Sequence, residues 1–201
     1  MSQIQLAKWL CKGSSGVEAS LFILRITYVS FFLIGCGDST PTNQSDGPAK
    51  PLVNIFGWSV TALDQDPFDE LWSDQVRCRE DEHGLELLAD LWVYSFQTGN
   101  CNWLTIKQTS KNAVRKGDRV RAAIWHFALS APEAASAWVG LATADGILVK
   151  MMEPIPQPAR LIELEFRAQT SMPENTPIYF HISNHGSNSW HLLNIQINPE
   201  A

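Results

Sequence analysis

The chain has 201 residues, with 15 Lys+Arg against 21 Asp+Glu for a net charge of −6, and 45% of it is hydrophobic, eight Trp included. Phosphate binding needs a basic stripe and none is visible, which excludes nucleic acid as the main partner. The apolar content excludes a chain disordered throughout, and the length suits one domain with an appendage.

Residues 1–35 carry Lys8, Lys12 and Arg25 against Glu18, and an uncharged run over 26–35 leads to Cys36. Ten helical residues would span about 15 Å, half of a bilayer core, so the run is too short for an ordinary transmembrane helix. A positive start followed by a short apolar stretch is the pattern of a secretory signal peptide, here 1–35.

The run ends in Leu33-Ile34-Gly35-Cys36, which resembles the lipobox of bacterial lipoproteins. The resemblance implies cleavage before Cys36, a diacylglyceryl group on its sulfur and an acyl chain such as palmitate on the new amino terminus. Membrane lipid is then a partner through acylated Cys36, since several chains at one point exceed what stable anchoring needs. Gly37 stands where an Asp would imply retention at the inner membrane, which favours the outer membrane of the cell envelope. The alternative is an uncleaved signal anchor with Cys36 as a buried thiol. Residues 37–50 contain no large apolar side chain and should form, with Cys36, a flexible tether. From Cys36 onward 12 basic residues face 20 acidic ones, net −8, so anionic lipid should repel the body and the acyl chains should do the holding.

Residues 51–201 read as one β domain. Candidate strands are 53–60, 85–96, 103–109, 119–129, 137–143, 147–152, 161–168, 178–183 and 190–197, rich in β-branched and aromatic residues between turn signals. Lys116-Gly117-Asp118 is one turn, and Ala144-Asp145-Gly146 between apolar runs predicts a hairpin. Pro154, Pro156 and Pro158 form a connection that cannot be a central strand, and 64–71 holds a short helical turn. The expected fold is all-β, an antiparallel β-sandwich of jelly-roll type, preceded by the signal peptide and the tether. Cys78 and Cys101 of an exported domain should form a disulfide rather than two free thiols. Closing a loop of about 24 residues contributes roughly 3 kcal/mol in the chain-entropy model.

No Gly-x-Ser-x-Gly, His-Glu-x-x-His, phosphate loop or Cys-x-x-Cys is present, and no cofactor is expected. His181, His185 and His191 suggest a metal, yet an extended chain separates the first two by about 13 Å, so a reversal near Gly186 would be needed, with His126 as a further ligand. Alternation gives another reading. Tyr179, His181 and Ser183 face outward on one strand, Trp190, Asn194 and Gln196 on the next, and Trp103, Thr105 and Lys107 on a third. An outward face mixing aromatic rings with amides and hydroxyls suits a carbohydrate, the ring stacking on the sugar and the polar groups bonding its hydroxyls. Pairing of the last two strands about 184–189 would gather Tyr179, His181, Trp190 and Asn194 into one ligand-facing surface. His126 should point into the core. The run from Arg79 to His83, and Glu163 with Glu165 about 6.6 Å apart on one strand face, leave a hydrolase open. The reading is a non-catalytic ligand-binding or structural lipoprotein, carbohydrate-binding and with a glycan or envelope polymer as partner. The alternatives are a metal-binding domain built on 181–191, then a hydrolase.

Overall fold

The computed structural model describes residues 48–71 and 76–198. The signal run, Cys36 and the tether up to residue 47 lie outside the described residues. Eleven strands follow one another: β1 (Lys50–Pro51), β2 (Ser59–Val60), β3 (His83–Leu88), β4 (Leu91–Gln97), β5 (Trp103–Thr109), β6 (Arg119–His126), β7 (Ala135–Thr143), β8 (Gly146–Ile155), β9 (Arg160–Arg167), β10 (Pro177–Ser183) and β11 (Ser189–Asn198). The helical elements among the described residues are 3₁₀ turns at Ile55–Gly57, Leu63–Gln65, Asp69–Leu71 and Glu80–Glu82.

The strands divide into two antiparallel sheets. The first runs β3-β4-β11-β6-β9 with β1 added on β11, and the second runs β2-β5-β10-β7-β8. The ladders β4/β11, β5/β10, β6/β9 and β7/β8 are nested, as if one long hairpin with its apex between β7 and β8 had rolled up. That nesting makes a jelly roll. Phe96, Ile124, Leu164 and Ile195 of the first sheet pack against Leu104, Leu141, Phe180 and Ile182 of the second.

Two expected strands are corrected. The segment 53–60 turns through a short 3₁₀ stretch at Ile55–Gly57, with Asn54 Oδ1 accepting from Phe56 N, and only Ser59–Val60 pairs. The segment 85–96 is a hairpin, reversed at Ala89 (φ 47°) and Asp90 (φ 69°). The Asp145 hairpin forms between β7 and β8. Pro154 lies in β8, an edge strand, where a missing N–H costs no ladder bond in a sheet centre. Cys78 and Cys101 are joined in a disulfide with Cα atoms 4.8 Å apart. His126 is buried as expected, its Nδ1 2.7 Å from Phe127 O.

β10 and β11 do not pair with each other. The five residues between them cross from one sheet to the other, because Asn184 and Asn188 bond the loop into a corner. Asn184 Nδ2 donates to Thr98 Oγ1 (2.7 Å), and Asn184 Oδ1 accepts from Asn188 Nδ2 (3.2 Å) and from the Trp190 indole N–H (3.3 Å). Asn188 Oδ1 accepts from Ser130 N at 2.7 Å. Gly186, at φ +87°, sits where a Cβ would lie 2.1 Å from Ser130 O, so only glycine fits.

The outer face of the second sheet is covered by residues 61–71, which follow β2. Asp66 Oδ1 accepts from Phe68 N at 2.9 Å and turns the segment inward. Phe68, wholly buried, stacks on His181 with ring centroids 4.7 Å apart. Gly140 makes room, since a Cβ there would approach Phe68 Cε1 to 2.6 Å. Beneath it His181 Nδ1 lies 2.7 Å from Thr105 Oγ1, and burial pushes the imidazole pKa down to about 3.

Two outcomes follow. Trp190→Ala should lower unfolding stability by about 3–5 kcal/mol in urea denaturation, as for a wholly buried large side chain. An unfolded His181 binds a proton below about pH 6.5 while the folded one stays neutral down to about 3. The unfolded state therefore holds more protons between those values, and stability falls as pH drops through that window. His181→Gln should flatten this part of the pH profile of the urea midpoint relative to wild type.

Candidate functional site

The four residues expected to share one surface are separated. Tyr179 and His181 lie on the outer face of the second sheet, buried under Phe68. Trp190 points the other way, into the core between the sheets, with its ring 4.8 Å from that of His126. Asn194 is half-buried on the first sheet, opposite Ala123. The expected convergence needed a β10–β11 hairpin, and the crossing at 184–188 replaces it. Trp103 and Thr105, also expected outward, are buried under the same cover, where the Arg77 guanidinium lies 5.5 Å from the Trp103 ring centroid.

The metal reading of 181–191 fails on the same geometry. His181 is held on the second sheet and His191 on the first, opposite Trp125, so one ion cannot reach both. Burial lowers the His191 pKa, opposed by Glu86, whose Oε2 is 3.8 Å from Nδ1. Among the described residues one group of three metal-type ligands comes within 4.8 Å, Cys78, Glu82 and Cys101. Both sulfurs are in the disulfide, and Glu82 Oε2 accepts from Arg79 N at 2.7 Å, so no thiolate is on offer.

The two strand carboxylates of the hydrolase reading are each paired with an arginine. Glu163 Oε1 is 3.0 Å from Arg121 Nη1, and Glu165 Oε1 is 3.8 Å from Arg119 Nη1. Glu153 is the deeply buried carboxylate, and it binds Arg160 Nη2 at 2.5 Å across the two sheets, with His126 Nε2 3.8 Å away.

A site lies beside the last described residues of the cover over the second sheet, Glu70 and Leu71. A cavity of about 220 Å³ is lined by Glu70, Leu71, Ser136, Trp138, Ser183, Asn184 and His185. A wider depression of about 460 Å³ shares Ser136 and His185 with it and extends along 131–135 to Gly186. Its parts come from three places that the fold brings together. Trp138 and Ser136 stand at the start of β7, and Trp138 pairs with Ser183 at the end of β10. Glu70 and Leu71 close the described stretch 61–71 of the covering segment, and Asn184 and His185 begin the braced corner.

Trp138 is half-buried. The Lys150 ammonium lies 5.5 Å from its ring centroid and outside the cavity lining. The cavity therefore offers an indole surface next to two serine hydroxyls, a carboxylate and an imidazole. These can stack on an apolar sugar face and bond its hydroxyls. Sequence reading missed Trp138 because it alternates with core positions Val139 and Leu141 in an ordinary apolar run. The usable signal was the combination of an outward Trp with two flanking serines, spread over β7 and β10.

No family model matches the chain, and no curated protein matches it. Solved structures with a similar arrangement of strands exist. The module TmCBM61, solved in complex with β-1,4-galactotriose, matches 75% of this chain and 99% of its own at 7% identity and a TM-score of 0.46. A CBM4 structure matches 79% of this chain and 97% of its own at 9% identity and a TM-score of 0.44. The CBM22-1 and GH10 modules of xylanase 10B from Clostridium thermocellum, complexed with xylohexaose, match 75% of this chain and 28% of their own at 8% identity and a TM-score of 0.41.

Proposed function

We propose that the protein is a lipid-anchored, non-catalytic module of the bacterial envelope that binds a glycan in the cavity beside Trp138. The observation that carries the reading is the cavity itself, an indole wall with Ser136, Ser183, Glu70 and His185 around it. A pyranose has one face of C–H groups and a rim of hydroxyls, which is the complement of that lining. The neighbouring depression continues the same surface, so an oligosaccharide suits it better than a single sugar. The anchor rests on the lipobox and remains a sequence-based proposal, with the outer membrane as its place.

A glycan array run with and without chelator tests the binding. A hit that survives the chelator supports the reading, and Trp138→Ala should weaken it about tenfold or more while changing the melting temperature by only a few degrees. Binding that is unaffected by Trp138→Ala would remove the cavity as the site. For the anchor, Cys36→Ala should abolish incorporation of labelled palmitate, and equal labelling of the variant would contradict it.

A further inference from the structure

The two ends of the sandwich differ in chemistry. At the start of β11, Ser189 pairs with Gln97 and Trp190 with His126, next to the corner that lines the cavity. At its other end Gln196 and Ile197 pair with Pro51 and Lys50, the first strand after the tether. Ten residues of strand put these ends about 30 Å apart.

β4 runs antiparallel to β11, so its first residues, Leu91 and Trp92, lie towards the end where the tether enters. Large apolar side chains are exposed there: Phe56 55%, Leu85 43%, Leu87 55%, Leu91 49% and Trp92 45%. Leu85, Leu87 and Trp92 share one face of the β3–β4 hairpin, with the Phe56 ring 5.7 Å from that of Trp92, and Leu91, opposite Leu88, is on the other face at the hairpin tip. An apolar cluster of this kind marks an interaction surface.

Charge is sorted along the same axis. Six of the 12 basic residues from Cys36 onward are exposed at this end: Lys50, Lys111, Arg115, Lys116, Arg119 and Arg167. Arg119 pairs with Asn198 and Arg167 at the ends of β11 and β9. Lys111 N donates to Leu52 O, and Gly117 N, beside Lys116, donates to Ala168 O. The acidic groups here are Asp90, Asp145, Glu174, Glu165, which is paired with Arg119, and Asp118, which is buried and accepts from Arg115 N. These six basic and five acidic groups leave this end near neutral while the chain from Cys36 onward carries −8, and Lys111, Arg115 and Lys116 stand together on one connection.

From this we infer that the tether end of the domain docks on the bilayer, Phe56, Leu87, Leu91 and Trp92 entering the interface and the basic residues meeting anionic headgroups, so that the Trp138 cavity faces away from the membrane. The inference rests on the lipid anchor. Thirteen residues separate Cys36 from Lys50, a reach of no more than about 45 Å, which keeps this end within touch of the membrane that holds the acyl chains. Aromatic and basic side chains together are the combination that favours an anionic interface.

The acylated full chain, reconstituted in phosphatidylcholine vesicles with or without phosphatidylglycerol, tests it. One sample carries an environment-sensitive fluorophore at Leu91→Cys and another at Ser187→Cys, at the opposite end. In vesicles with phosphatidylglycerol, nitroxide-labelled lipid should quench position 91 and leave position 187 unchanged. The combined changes Lys111→Gln, Arg115→Gln and Lys116→Gln should abolish the quenching. Equal signals at both positions, with palmitate present on Cys36, would overturn the docking while the anchor stands. A protein that dimerises through this end and leaves position 91 unquenched would overturn it as well. Absence of acylation at Cys36 would remove the anchor reading and the docking together.

Discussion

The corner between β10 and β11 is the constraint on which the rest of the structure depends. Asn184 is 1% exposed, and its amide ties Thr98, the 185–186 carbonyls, Asn188 and the Trp190 indole into one knot. The Trp190 indole N–H has Asn184 Oδ1 as its acceptor, and leaving it buried and unpaired would cost about 1–3 kcal/mol, while Thr98 Oγ1 also bonds Gly186 O and Asn188 Nδ2 also bonds Ser130 O in the same knot. Satisfying them together sends β11 to the opposite sheet from β10. The jelly roll and the inward direction of Trp190 follow from that crossing, as does one wall of the cavity.

The covering segment shows how a second layer of packing decides which residues a ligand can reach. Alternation along β10 places Tyr179, His181 and Ser183 on the face away from the core. That face would be wet in a bare sandwich. Here Phe68 fills it, seated over the bare backbone of Gly140, and the price is a histidine held neutral below its ordinary pKa. Next to the last described residues of that cover, half-buried Trp138 and Ser136 line the cavity with buried Ser183 behind them.

Much of the architecture was legible. The period-2 pattern located β5 to β11 to within a few residues, and the Asp145 hairpin and the cysteine pair were readable from local chemistry. The β3–β4 turn was not, because Ala89 and Asp90 adopt positive φ without the glycine that signals such a turn. The site was less legible still. An outward position in a strand predicts exposure only when nothing lies on top of it, and Phe68 is more than 100 residues from His181 in sequence. A short polar connection between two strands fits a hairpin and a sandwich corner equally well. Long-range burial had to choose, and Trp190 indole packing against His126 chose the corner.

The described domain carries an indole-walled cavity at the end of the sandwich where the corner lies, and the exposed β3–β4 hairpin at the other. On the proposed function the cavity receives a sugar. Its most direct test is the set of indole N–H resonances in a ¹H–¹⁵N spectrum during titration with neutral β-linked oligosaccharides. Saturable movement of the Trp138 signal, with those of buried Trp103 and Trp190 unchanged, is the predicted result. Movement confined to Trp92 or Trp125, with Trp138 stationary, would contradict the account.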